Sequence, residues 1–233
     1  MVDISGEVID LSNPIKENIP GWPTFDPVRF ETTMWAARDG FTMERMEMNT
    51  HTSTHIDTPL HFIPEGKTID DFPINKFMGE GTVIDLSDRS IGEPITPDEL
   101  EPYADVITED EVLMLYTGWD EHYGLRPEYL FEYPFLTDTA AQYLGDRQPK
   151  AVGIDTISVA GWDGEVPAQE PVTDIGGDES HLPLLENNII PIEELRNLDQ
   201  VLDGADKRRA FFSYVPLRFK GAGGSPVRAY AIV

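Results

Sequence analysis

A cluster of three histidines and one aspartate places the tightest limit on how this chain folds. The four side chains are His51, His55, Asp57 and His61. On a helix His51 and His55 would share a face, but Asp57 would point away from it. On a straight strand all four would point to one side, yet His51 and His61 would lie ~33 Å apart. Neither regular element gathers the four groups, so we predict a tight loop, which the small hydroxyl residues at 52–54 would permit.

The same cluster predicts a metal site. The chain has five histidines in 233 residues and no cysteine, so nitrogen and oxygen atoms would have to hold any metal ion. Two neutral imidazoles and a carboxylate suit Zn²⁺ or Mn²⁺, and a site with few protein ligands leaves room for a water molecule. The alternative is a chance meeting of surface or core histidines, which the small number of histidines disfavours.

The balance of charge limits the partners of the chain. It carries 43 acidic and 17 basic side chains, which gives a net charge of −26 at pH 7. A negative field of this size repels phosphate backbones and anionic lipids, so we expect neither nucleic acid nor membrane as a partner. The acidic residues are spread along the whole chain and only six of the basic residues are lysine. We interpret this as adaptation to concentrated salt, where cations screen self-repulsion; the alternative is an ordinary acidic protein.

Composition also limits the class of protein. Hydrophobic residues make up 40% of the chain, enough for a real core. The absence of cysteine excludes disulfide scaffolds, thiolate zinc sites, cysteine nucleophiles and iron–sulfur clusters. The first residues do not resemble a signal peptide, and no stretch approaches the ~18–20 apolar residues of a membrane span. We therefore expect a soluble, cytoplasmic protein. Without repeats or linker-like stretches, residues 1–233 are expected to form a single domain.

Local patterns predict an α/β or α+β fold with a sizeable sheet. Runs rich in β-branched and aromatic residues predict strands at 7–11, 28–35, 41–48, 82–86, 112–116, 151–159, 210–217 and 228–233. Capping residues predict helices that begin at Thr96, at Thr137 or Asp138, and at Ser180. These helices should extend to Tyr103, to Leu144 with a stop at the following glycine, and to Asn187. The glycine-rich segment 221–225 is predicted to be a turn.

The segment from His51 to His61 resembles the HxGTHxDxPxH signature of the cyclase family of metal-dependent hydrolases, which includes bacterial kynurenine formamidases and isatin hydrolases. Ser53 stands where the signature has glycine. Further similarities to the family lie at residues 9–15 (IDLSNPI), 153–156 (GIDT), 181–198 (a histidine, a Leu-Leu pair and IEELRNL), 216–217 (PL) and 224–229 (GSPVRA). The matching segments span nearly the whole chain.

The resemblance implies a fold and a set of roles. The fold would be the swivelling β/β/α domain, a single domain with a large mixed sheet and a few helices, usually in a homodimer or homotetramer. His51, His55 and Asp57 would hold one metal ion, Zn²⁺ or Mn²⁺, and Asp57 could bridge to a second ion that His181 and Glu193 complete. His61 would be the acid–base residue rather than a permanent ligand.

The implied activity is metal-assisted hydrolysis of a small amide. An arylformamidase would convert N-formylkynurenine to kynurenine and formate, and Trp22, Phe25 and Phe62 are candidates to bind such an aromatic substrate. Trp35 is a fourth aromatic candidate, and all four could instead pack in the core. The alternatives are a related hydrolase that opens a cyclic amide or lactone, a lyase or cyclase, and a non-catalytic metal-binding protein of the same fold. Glu194, next to Glu193, is interpreted as solvated charge.

Overall fold

A computed structural model describes residues 6–162 and 180–233. Eleven strands lie in these residues: β1 (Val8–Asp10), β2 (Arg29–Met34), β3 (Met43–Glu47), β4 (His55–Asp57), β5 (Met78–Asp85), β6 (Val112–Tyr116), β7 (Ala151–Ile154), β8 (Ile190–Glu193), β9 (Lys207–Ser213), β10 (Gly224–Pro226) and β11 (Tyr230–Ile232). The helices of the described part are α1 (Ala36–Asp39), α2 (Pro97–Leu100), α3 (Pro127–Phe131), α4 (Asp138–Arg147), α5 (His181–Glu186) and α6 (Leu198–Leu202).

Nine of these strands form one mixed sheet in the order β1-β11-β9-β5-β6-β7-β8-β4-β10. The four central strands β5, β6, β7 and β8 are parallel, and every other pairing in the sheet is antiparallel. Strands from both ends of the sequence therefore belong to the same sheet. The predicted α/β class with a large mixed sheet and a few helices is confirmed.

The central strands are buried on both faces, which explains their continuous apolar sequence. Along β6, Val112 and Met114 contact one core cluster together with residues of α6, such as Val201. The alternate residues Leu113 and Leu115 contact a second cluster with α2, α4 and α5. Side chains alternate between the faces of a strand, so the helices cover the sheet from both sides. No helix of the described part is long and apolar enough to cross a bilayer.

The prediction of strands was incomplete. Strands β4, β8 and β10 were not predicted, because each has only three or four residues and includes charged residues, proline or glycine. The segment 221–225 is not simply a turn, since β10 begins at Gly224 and pairs with β4. The strand expected at 151–159 ends at Ile154. The next residue, Asp155, turns its buried carboxylate toward the backbone N–H groups of Thr117 and Trp119, 3.0 and 3.1 Å away.

Two helix ends differ from the prediction. Helix α4 passes through Gly145 and ends at Arg147, because this glycine lets α5 and the following turn approach closely rather than stopping the helix. Ser180 precedes α5, but its hydroxyl donates to the carbonyl oxygen of Leu136 instead of capping the helix. The predicted start at Thr96 is confirmed, since Glu99 Oε2 accepts a 2.8 Å hydrogen bond from the Thr96 N–H in a capping box. The α-helix itself ends at Leu100, and a 3-10 turn at Glu101–Tyr103 follows it.

Strands β2 and β3 form a separate two-stranded hairpin, residues 29–47, which packs little of its surface into the core. Its large apolar side chains are mostly exposed: Phe30, Trp35, Phe41, Met43 and Met46 are 42–56% accessible to solvent. An isolated hairpin is at best marginally stable in water. The apolar side chains of this hairpin therefore form a solvent-exposed patch.

Candidate metal centre

The centre is built on the three short strands at one edge of the large sheet. In the antiparallel pairing of β4 with β8, His55 lies directly opposite Glu193. On the other side of β4, Gly224 of β10 lies opposite Asp57. Helix α5 begins at His181 and brings that imidazole to the same edge. The backbone register thus gathers groups that lie far apart in the sequence.

Irregular backbone on both sides of β4 brings the two outer histidines together. Ser53 has a positive φ of 57° before the strand, and Pro59–His61 forms a 3-10 turn after it. As a result the imidazole of His61 stacks on that of His51, with ring centroids 3.8 Å apart. The predicted gathering of the cluster is confirmed, although part of the segment is a strand rather than a loop. Serine takes a positive φ at some cost, which the glycine of the family signature avoids.

Five of the predicted side chains form two adjoining donor groups. His51, His55 and Asp57 make up one group, and Asp57, His181 and Glu193 make up the other; within each group the donor atoms lie within 4.8 Å of one another. Asp57 Oδ1 lies 2.6 Å from His51 Nδ1, and its Oδ2 lies 3.4 Å from His181 Nε2. Neither group includes His61. The geometry therefore separates His61 from the five predicted ligands.

Hydrogen bonds outside the groups orient two of the donors. The Nδ1–H of His55 donates to the Ser53 carbonyl oxygen over 2.7 Å, which leaves the lone pair on Nε2 facing Asp57 and Glu193. Glu193 Oε1 accepts from the hydroxyl of Ser158 at 3.0 Å and from the N–H of Val159 at 2.7 Å. Such outer contacts fix the tautomer and direction of ligating groups. Sequence reasoning missed Ser158, because nothing in the sequence connects it to Glu193.

The buried charges of the site require a cation. Asp57 is fully buried, and Glu193 is 4% exposed. Burial raises the pKa of Asp57, but the neighbouring imidazoles, His61 and His51 first, outweigh it and hold the pKa well below its usual value. Burial alone would lower the pKa of His181, yet the adjoining carboxylates of Asp57 and Glu193 raise it to about 10. A proton on His181 thus supplies positive charge where no metal is bound.

The donors fit a divalent metal ion. Asp57 Oδ2 is buried and, apart from the 3.4 Å ion pair with His181 Nε2, makes no hydrogen bond among the described residues, and a buried carboxylate oxygen of this kind can accept a ligand. Three imidazoles and two carboxylates are the nitrogen and oxygen donors that borderline divalent ions accept. The chemistry of the donor set and the oxygen of Asp57 that makes no hydrogen bond both fit a bound metal ion.

An aromatic cavity of about 340 Å³ opens above the two groups. Trp22, Phe25 and Phe62 line it, together with four of the clustered histidines. Phe62 stacks on His181, with ring centroids 4.5 Å apart. Trp35 does not line this cavity and lies in the exposed hairpin. The three aromatic residues predicted to bind substrate therefore surround the space next to the candidate ligands.

The cavity wall also includes Glu194, whose interpretation as solvated charge was wrong. Glu194 is only 2% exposed, and its Oε1 accepts a 3.0 Å hydrogen bond from the hydroxyl of Tyr129. Burial raises the pKa of Glu194 to about 8, although the Tyr129 hydrogen bond opposes this. His61 is also desolvated, and burial lowers its pKa to about 4, so its imidazole is neutral at pH 7. A pair of adjacent glutamates gives no sequence signal that the second one is buried.

The fold and the site together define an α/β protein with a buried nitrogen and oxygen donor set under an aromatic cavity. Residues 9–160 match the family described as "Putative cyclase". The chain belongs to this cyclase family. It is 31% identical over 228 residues to a kynurenine formamidase of Bacillus cereus, with 97% of each chain covered.

Two solved structures share the whole fold. Isatin hydrolase A from Labrenzia aggregata, bound to benzyl benzoate, superposes with a TM-score of 0.80 at 25% identity, covering 97% of this chain and 93% of that one. A potential metal-dependent hydrolase with cyclase activity superposes with a TM-score of 0.73 at 27% identity, covering 97% and 98%. The resemblance first indicated by the histidine cluster is confirmed over nearly the full length of the chain.

Proposed function

We propose that this protein is a metal-dependent hydrolase of a small aromatic amide, with N-formylkynurenine as substrate and kynurenine and formate as products. One observation carries the proposal: two adjoining donor groups share the buried Asp57, their other four members line an aromatic cavity, and His61 stacks on His51 beside them. The similarity to a kynurenine formamidase over 97% of both chains supports the choice of substrate.

The residues divide into three roles in this proposal. His51, His55, Asp57, His181 and Glu193 hold the metal. When bound, a divalent ion lowers the pKa of water from 15.7 towards roughly 7 and polarises the carbonyl group of the substrate. His61 is neutral at pH 7, so it takes a proton from the attacking water and delivers it to the leaving nitrogen. Trp22, Phe25 and Phe62 hold the aromatic ring.

The metal is Zn²⁺ or Mn²⁺ in our proposal, with one or two ions per chain. Imidazole nitrogen and carboxylate oxygen suit both metals, and the shared position of Asp57 would let it bridge two ions. Elemental analysis of the purified protein, followed by titration of the chelated protein with each metal, gives identity and stoichiometry. A protein that binds neither metal would contradict the proposal.

A substrate panel tests the activity itself. The metal-loaded protein is offered N-formylkynurenine, simple formanilides, isatin-type cyclic amides and lactones, and products are measured by chromatography. We expect the formamides to be hydrolysed fastest. Preference for the cyclic compounds would favour the second candidate, an isatin-type hydrolase. The structural similarity to isatin hydrolase A supports this candidate. Stoichiometric metal with no turnover on any compound would instead favour a non-catalytic metal-binding protein.

We further propose that the protein is a homodimer or homotetramer in which the β2–β3 hairpin contacts a second copy. Residues 29–47 carry three basic and four acidic side chains, a net charge of −1, whereas the whole chain carries −26. Two copies would repel each other least where this nearly neutral, apolar hairpin forms the contact. The exposed phenylalanine, tryptophan and methionine side chains of the hairpin supply the area to be buried.

A further inference from the structure

Glu194 is held rigidly in the cavity wall by its backbone. Its N–H donates to the carbonyl oxygen of Thr156 at 2.8 Å. Its own carbonyl oxygen accepts hydrogen bonds from Asn13 Nδ2 at 2.8 Å and from Thr54 Oγ1 at 2.6 Å. Glu194 also has a positive φ of 54°, a conformation that side chains with a Cβ adopt at some cost. The surrounding contacts thus fix where the side chain leaves the backbone.

One carboxyl oxygen of Glu194 accepts a hydrogen bond from the protein, and the other accepts none from the described residues. The hydroxyl of Tyr129, itself fully buried, donates to Oε1 at 3.0 Å. Among the described residues, Oε2 has no hydrogen-bond partner and Glu194 makes no ion pair, although the side chain borders the cavity. Burial of a carboxyl group without a cation or a full set of donors is costly. A ligand that supplies a donor to Oε2 would relieve that cost.

Charge indicates which donor fits. The adjacent carboxylate of Glu193 also borders the cavity, and Glu194 lies outside both metal-donor groups. A protonated amino group offers Oε2 a charged donor, and hydrogen bonds to charged groups are stronger than those from a neutral hydroxyl. The remaining wall near Glu194 includes the apolar Ile157 and the aromatic Trp22, which suit the ring of a substrate.

We propose that Glu194 is a specificity-determining residue whose Oε2 binds an amino group on the substrate. This inference rests on the proposed function and narrows it to aryl formamides that carry an amino group on a side chain, as N-formylkynurenine does. Isatin has no such group. Glu194 therefore selects the amino-bearing formamide over ring compounds and over plain formanilides, while the metal centre performs the same hydrolysis on each.

A matched pair of substrates tests this inference. The pair is N-formylkynurenine and its analogue without the side-chain amino group, and kcat/KM is measured for both with the metal-loaded protein. We expect the wild-type protein to favour the amino substrate, and Glu194→Gln to lose about 10- to 100-fold on that substrate alone. Glutamine keeps the shape but turns an amide N–H toward the amino group. Glu186→Gln, on the exposed end of α5, is the control and should change neither value.

Tyr129→Phe gives an independent variant, because it frees Oε1 and leaves the carboxyl group of Glu194 intact. We expect a smaller loss, again confined to the amino substrate. An equal loss on both substrates in either variant would show that Glu194 only supports the structure, and would overturn the inference. Metal content is measured in each variant and should match that of the wild-type protein.

Binding of product gives a readout that needs no turnover. Calorimetry compares kynurenine with its des-amino analogue on the metal-loaded protein, and we expect Glu194→Gln to weaken kynurenine alone by about 10-fold or more. A wild-type protein that binds both compounds equally would overturn the inference. If no formamide is hydrolysed but kynurenine still binds through Glu194, the proposed function fails while the assignment of Glu194 stands.

Discussion

Asp57 is the residue on which metal binding should depend most, because both donor groups include it. Asp57→Ala removes a donor from each group at once. We expect the metal affinity to fall by more than the ~10–100-fold that is typical for loss of an outer-shell partner. Elemental analysis and metal titration measure the effect, with Asp88→Asn, an exposed aspartate, as control. Unchanged metal stoichiometry in Asp57→Ala would contradict the ligand assignment.

His61 should be separable from the ligands by mutation. It stacks on His51 but belongs to neither donor group. We therefore expect His61→Ala to keep its metal and to lose ~10²–10⁴-fold in turnover, the usual range for a general acid–base group. His122→Ala, which changes a histidine packed against Trp119 and absent from the cavity lining, should leave turnover unchanged. Loss of the metal together with the activity would mean that His61 is a ligand.

Metal binding should displace a proton from His181. The pKa of this imidazole is raised to about 10 in the metal-free fold, so it is protonated at pH 7 and must lose that proton to ligate. We expect about one proton to be released from it at pH 7, and the affinity to fall as the pH decreases. Calorimetry in buffers of different ionisation enthalpy counts the protons, and a pH-independent affinity would contradict the prediction.

The raised pKa of His181 also makes the stability of the metal-free protein depend on pH. Because the folded pKa of His181 lies above its ordinary value of 6.5, this proton stabilises the fold fully below pH 6.5. That stabilisation should disappear as the pH rises through about 10. Urea unfolding of the chelated protein between pH 6 and 10 follows it, and His181→Ala should flatten this part of the profile.

At the residue scale, the sequence predicted the half of the site that is local. His51, His55, Asp57 and His61 lie within eleven residues, so spacing alone could bring them together. His181 and Glu193 were assigned only through family resemblance, because the contact between them forms across separate elements. Glu194 could not be recognised at all, since its burial depends on Tyr129 and on the backbone of distant loops.

At the scale of elements, mutation can test whether the hairpin of β2 and β3 forms the proposed contact between copies. Replacing Phe41 and Met46, both more than half exposed, with serine should lower the affinity between copies without affecting the core. We expect the double variant to elute at the monomer mass in light scattering, with its metal content retained. As a control, Ile74→Ser alters an exposed apolar residue outside the hairpin. An unchanged mass in the double variant would show that the hairpin is not the contact.

The length and composition of each strand explain which strands the sequence could predict. Strand β6 and the second half of β5 are mostly apolar and buried, so composition identified the runs at 112–116 and 82–86, but not the first residues of β5. Strands β4, β8 and β10, which build the metal centre, are too short for an alternating pattern, and their polar residues serve the site. Pairing with neighbouring strands, rather than intrinsic preference, decides their conformation. The polar residues that serve the site thus hide the sequence pattern by which these strands could have been predicted.

At the scale of the whole molecule, the net charge of −26 predicts a strong dependence of stability on salt. The Debye length falls from ~30 Å at 0.01 M salt to ~3 Å at 1 M, so repulsion among the carboxylates is progressively screened. We expect the melting temperature to rise steeply with KCl and to continue rising into the molar range, where salting-out strengthens apolar burial. Melts run up to 3 M at fixed pH and saturating metal provide the measurement. A curve that is flat above ~0.2 M would identify an ordinary acidic protein.

The position of Gly224 late in the sequence determines when the site can form during synthesis. A Cβ at this position would overlap the imidazole of His51, so β10 forms a wall directly behind that ring. A ribosome makes His51 long before it makes Gly224. Until Gly224 is made, His51 lacks this wall, and until Glu193 is made, the second donor group with Asp57 and His181 is incomplete. The centre is therefore complete only after Gly224 has been made, and a metal ion held by all of its donors would be acquired after that point.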